Sequence, residues 1–274
     1  MEIGLSQYSG IDFLQFYGAL SLAAVIAAIW LPNWLRPDGR GQVVNDEEQL
    51  AYLSGGAGRH AETLVARLMA SGALETDGKD KLRSVNPGRS VDGAAGVLAA
   101  RLEPFTWDEA GKALRDDAKG LHKSLVERGL MIDRGTLLQL RGLPTLPLLF
   151  VLGLGLYRRS AGQALGEPVG YLTMIVFAVG VIAVLRFFAH DPRTRAGRAA
   201  VREAQDRSSR LKRAPMAAET GTAVALFGTA VLVGTPFAPL HAMRQASSSG
   251  DGGSSSSSDG GGDGGGGGCG GCGG

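Results

Sequence analysis

Two cysteines, four histidines and a few acidic pairs are the residues of this 274-residue chain whose types could do chemistry. Cys269 and Cys272 stand in a CxxC spacing. That spacing suits thiolate ligation of a metal or a dithiol–disulfide couple. Structural zinc takes four protein ligands, so a lone CxxC supplies half a set, and no second cysteine pair exists. Two chains could complete an intermolecular Cys₄ site. A redox role needs a βαβ setting that lowers the thiol pKa, and a glycine string supplies none. In an oxidising compartment the pair could form a local or intermolecular disulfide. The leading reading is a flexible end without dedicated chemistry. Cys269 and Cys272 are therefore the sole, weak metal candidates, and no cofactor is implied.

His60, His122, His190 and His241 are scattered without ligand spacing. His122 adjoins Lys123 on a helix and reads as a surface residue. Asp116-Asp117 and Asp46-Glu47-Glu48 read as helix-face and capping charges. The run Ser54-Gly55-Gly56-Ala57-Gly58 lacks the lysine and spacing of a phosphate loop. It reads instead as a joint between two helices, with Arg59 and His60 starting the second. No catalytic constellation emerges, so the chain reads as a non-enzyme.

The elements that must position these residues begin with three apolar stretches, 13–31, 143–157 and 169–189. A bilayer core about 30 Å thick needs roughly 20 apolar residues to cross as a helix. Tyr17, Trp30 and Trp34 lie near the ends of the first stretch, where amphipathic rings favour the interface. The second is short, carries Pro144 and Pro147, and is bracketed by Arg141 and Arg158. It reads as a span because a second apolar run follows at once, as in a helical hairpin. A buried or interfacial segment is the alternative. Residues 1–12 hold Glu2 and Asp12 and no Lys or Arg, unlike the basic start of a signal peptide. The 190–213 connection is crowded with arginine. Basic loops stay inside, so the N-terminus is expected outside, with 33–142 and 190–213 cytoplasmic. This is a multi-pass protein of the cell membrane, with the lipid bilayer as its first partner. A further apolar segment, 221–240, rich in Gly, Ala and Thr, reads as a fourth membrane helix or an interfacial one.

Residues 33–142 are long enough for one small domain. Acids and bases balance there, so no basic field attracts nucleic acid. The formal charge of +2 comes mainly from the 190–213 loop. The insert carries a weak internal repeat, 64–78 and 121–135. Leucines four apart mark a helix face, and a glycine (Gly72, Gly129) ends the helix in the left-handed conformation. A short strand, an Asp/Gly turn and another apolar segment (81–85, 136–140) follow. Asn45 and Thr106 each precede a glutamate by three residues, the spacing of a capping box. The expected fold is a small cytoplasmic α+β domain with a winged-helix-like outline, a plain α+β domain being the alternative. Residues 247–274 contain only Ser, Gly, Asp and Cys and cannot offset the entropy of ordering.

Three phrases carry a family resemblance: Leu50-Ala-Tyr-Leu-Ser-Gly-Gly56, Val224-Ala-Leu-Phe-Gly228, and the end, Gly268-Cys-Gly-Gly-Cys-Gly-Gly274. In this order they resemble an actinobacterial membrane-protein family with a Gly/Cys-rich C-terminal tail. The resemblance implies a membrane location and no established activity. The expected function is a membrane-anchored interaction or regulatory protein whose insert binds a protein partner. The alternative is thiol or metal handling at the envelope through Cys269 and Cys272.

Overall fold

In the computed structural model of the chain, residues 10–78, 80–87, 91–164, 170–188, 191–213 and 215–250 are described. The apolar run after the N-terminus forms helix α1 (Gly10–Leu35). Helix α2 (Glu47–Ala70) starts at Asp46, whose side chain accepts the Glu48 N–H at 3.2 Å. Its cap is therefore Asp46 and not Asn45, because the Asp carboxylate reaches the exposed amide two residues on. A hairpin follows, β1 (Leu74–Asp77) antiparallel to β2 (Lys81–Ser84), with Leu74 opposite Ser84. Helix α3 (Ala94–Ala99) leads to β3 (Phe105–Thr106), which pairs with the other edge of β2. Helix α4 (Trp107–Ala113) opens with the capping box expected at Thr106 and Glu109. Helix α5 (Arg115–Glu127) follows.

Two long helices, α6 (Arg134–Ala164) and α7 (Gly170–Phe188), form the hairpin expected from sequence. Then come α8 (Arg195–Arg207), α9 (Thr220–Phe227) and α10 (Ala238–Gly250), joined by short 3-10 turns.

Three helices are long and apolar enough to span a membrane, Phe13–Leu35, Gly135–Gln163 and Gly170–Phe188. They pack through Phe13, Tyr17, Ala28, Leu148, Val151 and Val176. Tyr17 is fully buried there, and its hydroxyl donates to the Val151 carbonyl at 3.1 Å. Outward, Trp30, Phe150, Tyr171 and Phe177 are exposed. Apolar rings on the outside of a bundle suit lipid rather than water.

Outside the three long helices the described residues build two adjoining cores. One joins Leu64, Val65, Leu68, Leu74, Leu82, Leu98, Phe105 and Leu114 with Val224, Leu232 and Leu240. The other joins Leu50, Leu53, Leu125, Leu130, Val201 and Leu226. Both draw on residues beyond the membrane hairpin, so the domain is not the continuous 33–142 segment. It is assembled from chain before α6 and after α7.

Three sequence expectations are corrected by this arrangement. Segment 221–240 is neither a fourth span nor an interfacial helix: α9 has eight residues, and Ala223, Val224 and Ala225 are fully buried, with Val224 in the core that α2 and the sheet supply. Eight residues rise only about 12 Å, far short of the hydrocarbon thickness. The 190–213 stretch is no loop but largely helix α8, capped by Thr194, which accepts the Gly197 N–H at 3.0 Å. The second repeat copy lacks a hairpin. Asp133 caps the chain there by accepting the Gly135 N–H at 3.0 Å, and 136–140 becomes the first turns of α6. The first copy does form its strands, and Gly72 and Gly129 both end helices with positive φ. Of the expected unstructured stretch 247–274, residues through Gly250 lie in α10, and 251–274 fall outside the described residues.

Candidate functional site

Cys269 and Cys272, the residues singled out for chemistry from sequence, lie outside the described residues. Two other polar centres are built by the fold.

The first begins with the double glycine. Helix α2 loses helical geometry at Gly55 (φ −152°, ψ 20°) and Gly56 (φ 69°, ψ −158°). The Gly56 values lie in a region that L side chains avoid. Segment 54–58 therefore joins two helices, as the sequence suggested, and Arg59 and His60 sit at the start of the second. The break also brings distant residues together. In an uninterrupted helix Glu48 and His60, twelve residues apart, would be separated by about 18 Å along the axis. Instead, one ligand-capable atom from each of Glu48, His60 and Asp117 lies within 4.8 Å of the others.

The surroundings are specific. His60 is fully buried, and its Nε2 lies 2.8 Å from Asp117 Oδ2. The Asp117 side chain is 41% exposed, so the centre opens to solvent on that side. Glu48 Oε1 accepts from the Arg67 guanidinium at 2.9 Å, and the same guanidinium lies 3.9 Å from Glu47. Thr222 of α9 donates to the other Glu47 oxygen at 2.8 Å. His60 Nδ1 is buried and has no hydrogen-bond partner among the described residues. Whichever tautomer is present, that nitrogen stays unsatisfied, at a cost of about 1–3 kcal/mol.

The sequence reading missed this centre. It took Asp117 and Glu48 for helix-face and capping charges and found no ligand spacing around His60. That reading does describe Asp116, which is exposed and pairs with Lys119 at 2.8 Å. His122 is not a free surface residue, for its ring lies 6.0 Å from that of Tyr52. The available signal was the pair of glycines, since a chain reversal there is what returns residue 60 to the start of the helix.

The second centre lies where the chain enters and leaves the membrane bundle. The segments after α1, before α6 and after α7 meet in one seam. Arg40 N–H donates to the Gly129 carbonyl at 3.3 Å, Ile132 N–H to Pro192 at 2.8 Å, and Arg195 N–H to Pro37 at 3.1 Å. Met131 and Arg193 form an antiparallel bridge. Thr194 Oγ1 lies 2.9 Å from the Gly129 carbonyl and 3.0 Å from that of Leu130. Gly39 (φ 75°) passes so close that a Cβ there would stand 2.3 Å from the Gly129 oxygen.

Charge fastens the seam. Asp191 Oδ2 lies 2.7 Å from Arg198 and 3.8 Å from Arg36, while Oδ1 lies 2.9 Å from Arg193. Arg36 NH1 also donates to the Asp191 carbonyl at 3.3 Å and closely to that of Arg193. Burial pulls the Arg36 guanidinium down to about 10, with Arg198 adding to the effect and Asp191 opposing it. Arg36 is still charged at neutral pH. Burial alone would raise the Asp191 carboxyl, but hydrogen bonds from Arg193 and Arg198 and the charge of Arg193 hold it below its ordinary value.

No protein family, curated protein or solved structure matches this chain.

Proposed function

We propose that this is a non-enzymatic cell-membrane protein that holds its folded domain at the cytoplasmic face as an interaction or regulatory platform. The seam carries this reading. Chain segments on all three connections between bundle and domain are hydrogen-bonded to one another and locked by Asp191. Such a joint fixes how the domain is presented, which a flexible tether would not do. The arginines at the joint favour the cytoplasmic side. The resemblance to actinobacterial membrane proteins is in keeping with the location and adds no activity.

The binding face we assign is at the hairpin end of the domain. Ser84 Oγ donates to the Ala99 carbonyl at 2.6 Å, so the end of β2 and the end of α3 are adjacent. Val85, Val97 and Leu102 on these segments are 46%, 52% and 83% exposed. Apolar side chains exposed on adjoining segments are the surface we assign to a protein partner. In a winged-helix-like reading, β1 and β2 are the wing. The partner we assign to this face is a protein, on the apolar character of these side chains.

Photo-crosslinking in cells tests this. A crosslinking residue at Val97 or Leu102 is expected to give a discrete protein adduct that is missing from the exposed control position Lys123. The same adducts at all three positions, or none at Val97 and Leu102, would refute the assignment.

A further inference from the structure

We propose that Glu48, His60 and Asp117 form a binding site for a divalent transition ion, zinc foremost. The proposal makes no use of Cys269 and Cys272 and does not depend on the platform reading.

Four observations converge on it. Three donors arrive from three places in the chain, the start of α2, the helix after the Gly55–Gly56 break, and α5, with ligand-capable atoms within 4.8 Å. One imidazole and two carboxylates are a donor set that suits zinc, with manganese and ferrous iron as competitors. The His60 ring is fully buried and presents its Nε2 to the Asp117 carboxylate at 2.8 Å, so the imidazole is held in place before any ion arrives. Charge is also unbalanced. Glu47 and Glu48 share Arg67, while Asp117 faces only His60 among the described ion pairs. A dication supplies what is missing.

The remaining geometry fits an exchangeable ion. Asp117 is the solvent-facing ligand and gives the ion its approach. Zinc–ligand bonds near 2.0–2.2 Å put tetrahedral ligands about 3.3 Å apart, so the 2.8 Å contact between His60 and Asp117 opens by about 0.5 Å on binding. Arg67 donates to Glu48 Oε1 at 2.9 Å, as outer partners commonly hold a ligating carboxylate. Three protein donors leave a position for water. Binding stiffens the contact between the two halves of α2 and α5, both of which feed the domain cores.

The test uses the full chain in nanodiscs with Cys269→Ser and Cys272→Ser, so that the tail thiols cannot contribute. Zinc titration by calorimetry, with cobalt absorption as an independent readout, is expected to saturate at one equivalent per chain. Asp117→Asn, on the exposed side, should keep the thermal melt of the apo protein and weaken binding at least about tenfold. His60→Gln should do the same, and Asp117→Asn decides alone if the buried variant fails to fold. Absence of saturable zinc binding overturns the proposal. So does binding that changes less than twofold in Asp117→Asn.

Discussion

Asp191 Oδ2 lies 2.7 Å from Arg198 Nε, which ties the connection after the third membrane helix to the first turn of α8. The same carboxylate faces Arg36 from the end of the first membrane helix and Arg193 from its own segment. One acid thus offsets three guanidinium groups where the domain meets the bundle. Asp191→Asn would remove the carboxylate charge that Arg36 and Arg198 face in a largely buried place. We expect a loss of about 3 kcal/mol, read as a lower melting temperature of the solubilised protein, and partial recovery on adding Arg198→Met. An unchanged melt in Asp191→Asn would show that the charges are solvated.

The seam should also respond to acid. The Asp191 carboxyl is depressed in the folded state. A depressed carboxyl contributes stability that is fully present above its unfolded value of about 3.9 and is lost as pH falls through the folded value. The melting temperature should therefore hold between neutral pH and about pH 5 and fall below about pH 4. The acid slope should be shallower in Asp191→Asn. Equal slopes in the two proteins would remove Asp191 from the account.

Gly39 tests the steric side of the same joint. A Cβ there would meet the Gly129 oxygen at 2.3 Å and Thr194 Oγ1 at 2.5 Å, at a φ of 75°. Gly39→Ala should cost about 1–3 kcal/mol. Gly41→Ala, where a Cβ meets nothing within 4 Å, should be close to neutral by the same thermal measurement.

Domain composition gives a further prediction. Leu232 and Leu240 are fully buried in the same core as Leu64 and Leu82. A fragment of residues 36–142 lacks the former pair and should give no cooperative circular dichroism melt. Residues 36–133 linked to 191–247 should give one. In that linked form, Leu68→Asp or Leu125→Asp should abolish it, since both leucines are buried and an unpaired buried charge costs several kcal/mol (roughly). A cooperative melt from 36–142 alone would contradict the composite domain.

The membrane helices were legible in the sequence because length and hydropathy are local properties. So were the left-handed glycines after two helices and the Thr106–Glu109 capping box, which depend on residues a few positions apart. The role of 221–240 was not. Its Ala, Val and Leu are as apolar as a lipid-facing helix, and only the partner surface on α2 decides that they are core. The His60 centre was hidden for a related reason. Glu48, His60 and Asp117 have no shared spacing, and a chain reversal at Gly55–Gly56 has to precede any contact. The repeat misled because 121–135 follows the sequence of 64–78 through the glycine, after which Asp133 caps a membrane helix instead of turning a hairpin.

The central claim is that three membrane helices carry one domain, built from both sides of the hairpin, on a single face of the membrane. It is tested most directly by cysteine accessibility in intact cells, with Cys269 and Cys272 replaced by serine. Lys112, Ser209 and Gln163 are exposed positions on α4, in the turn after α8 and near the end of α6. Single cysteines at 112 and 209 should resist a membrane-impermeant thiol reagent until lysis, and a cysteine at 163 should label at once. Labelling of 112 without 209, of 209 without 112, or of both before lysis would contradict the account.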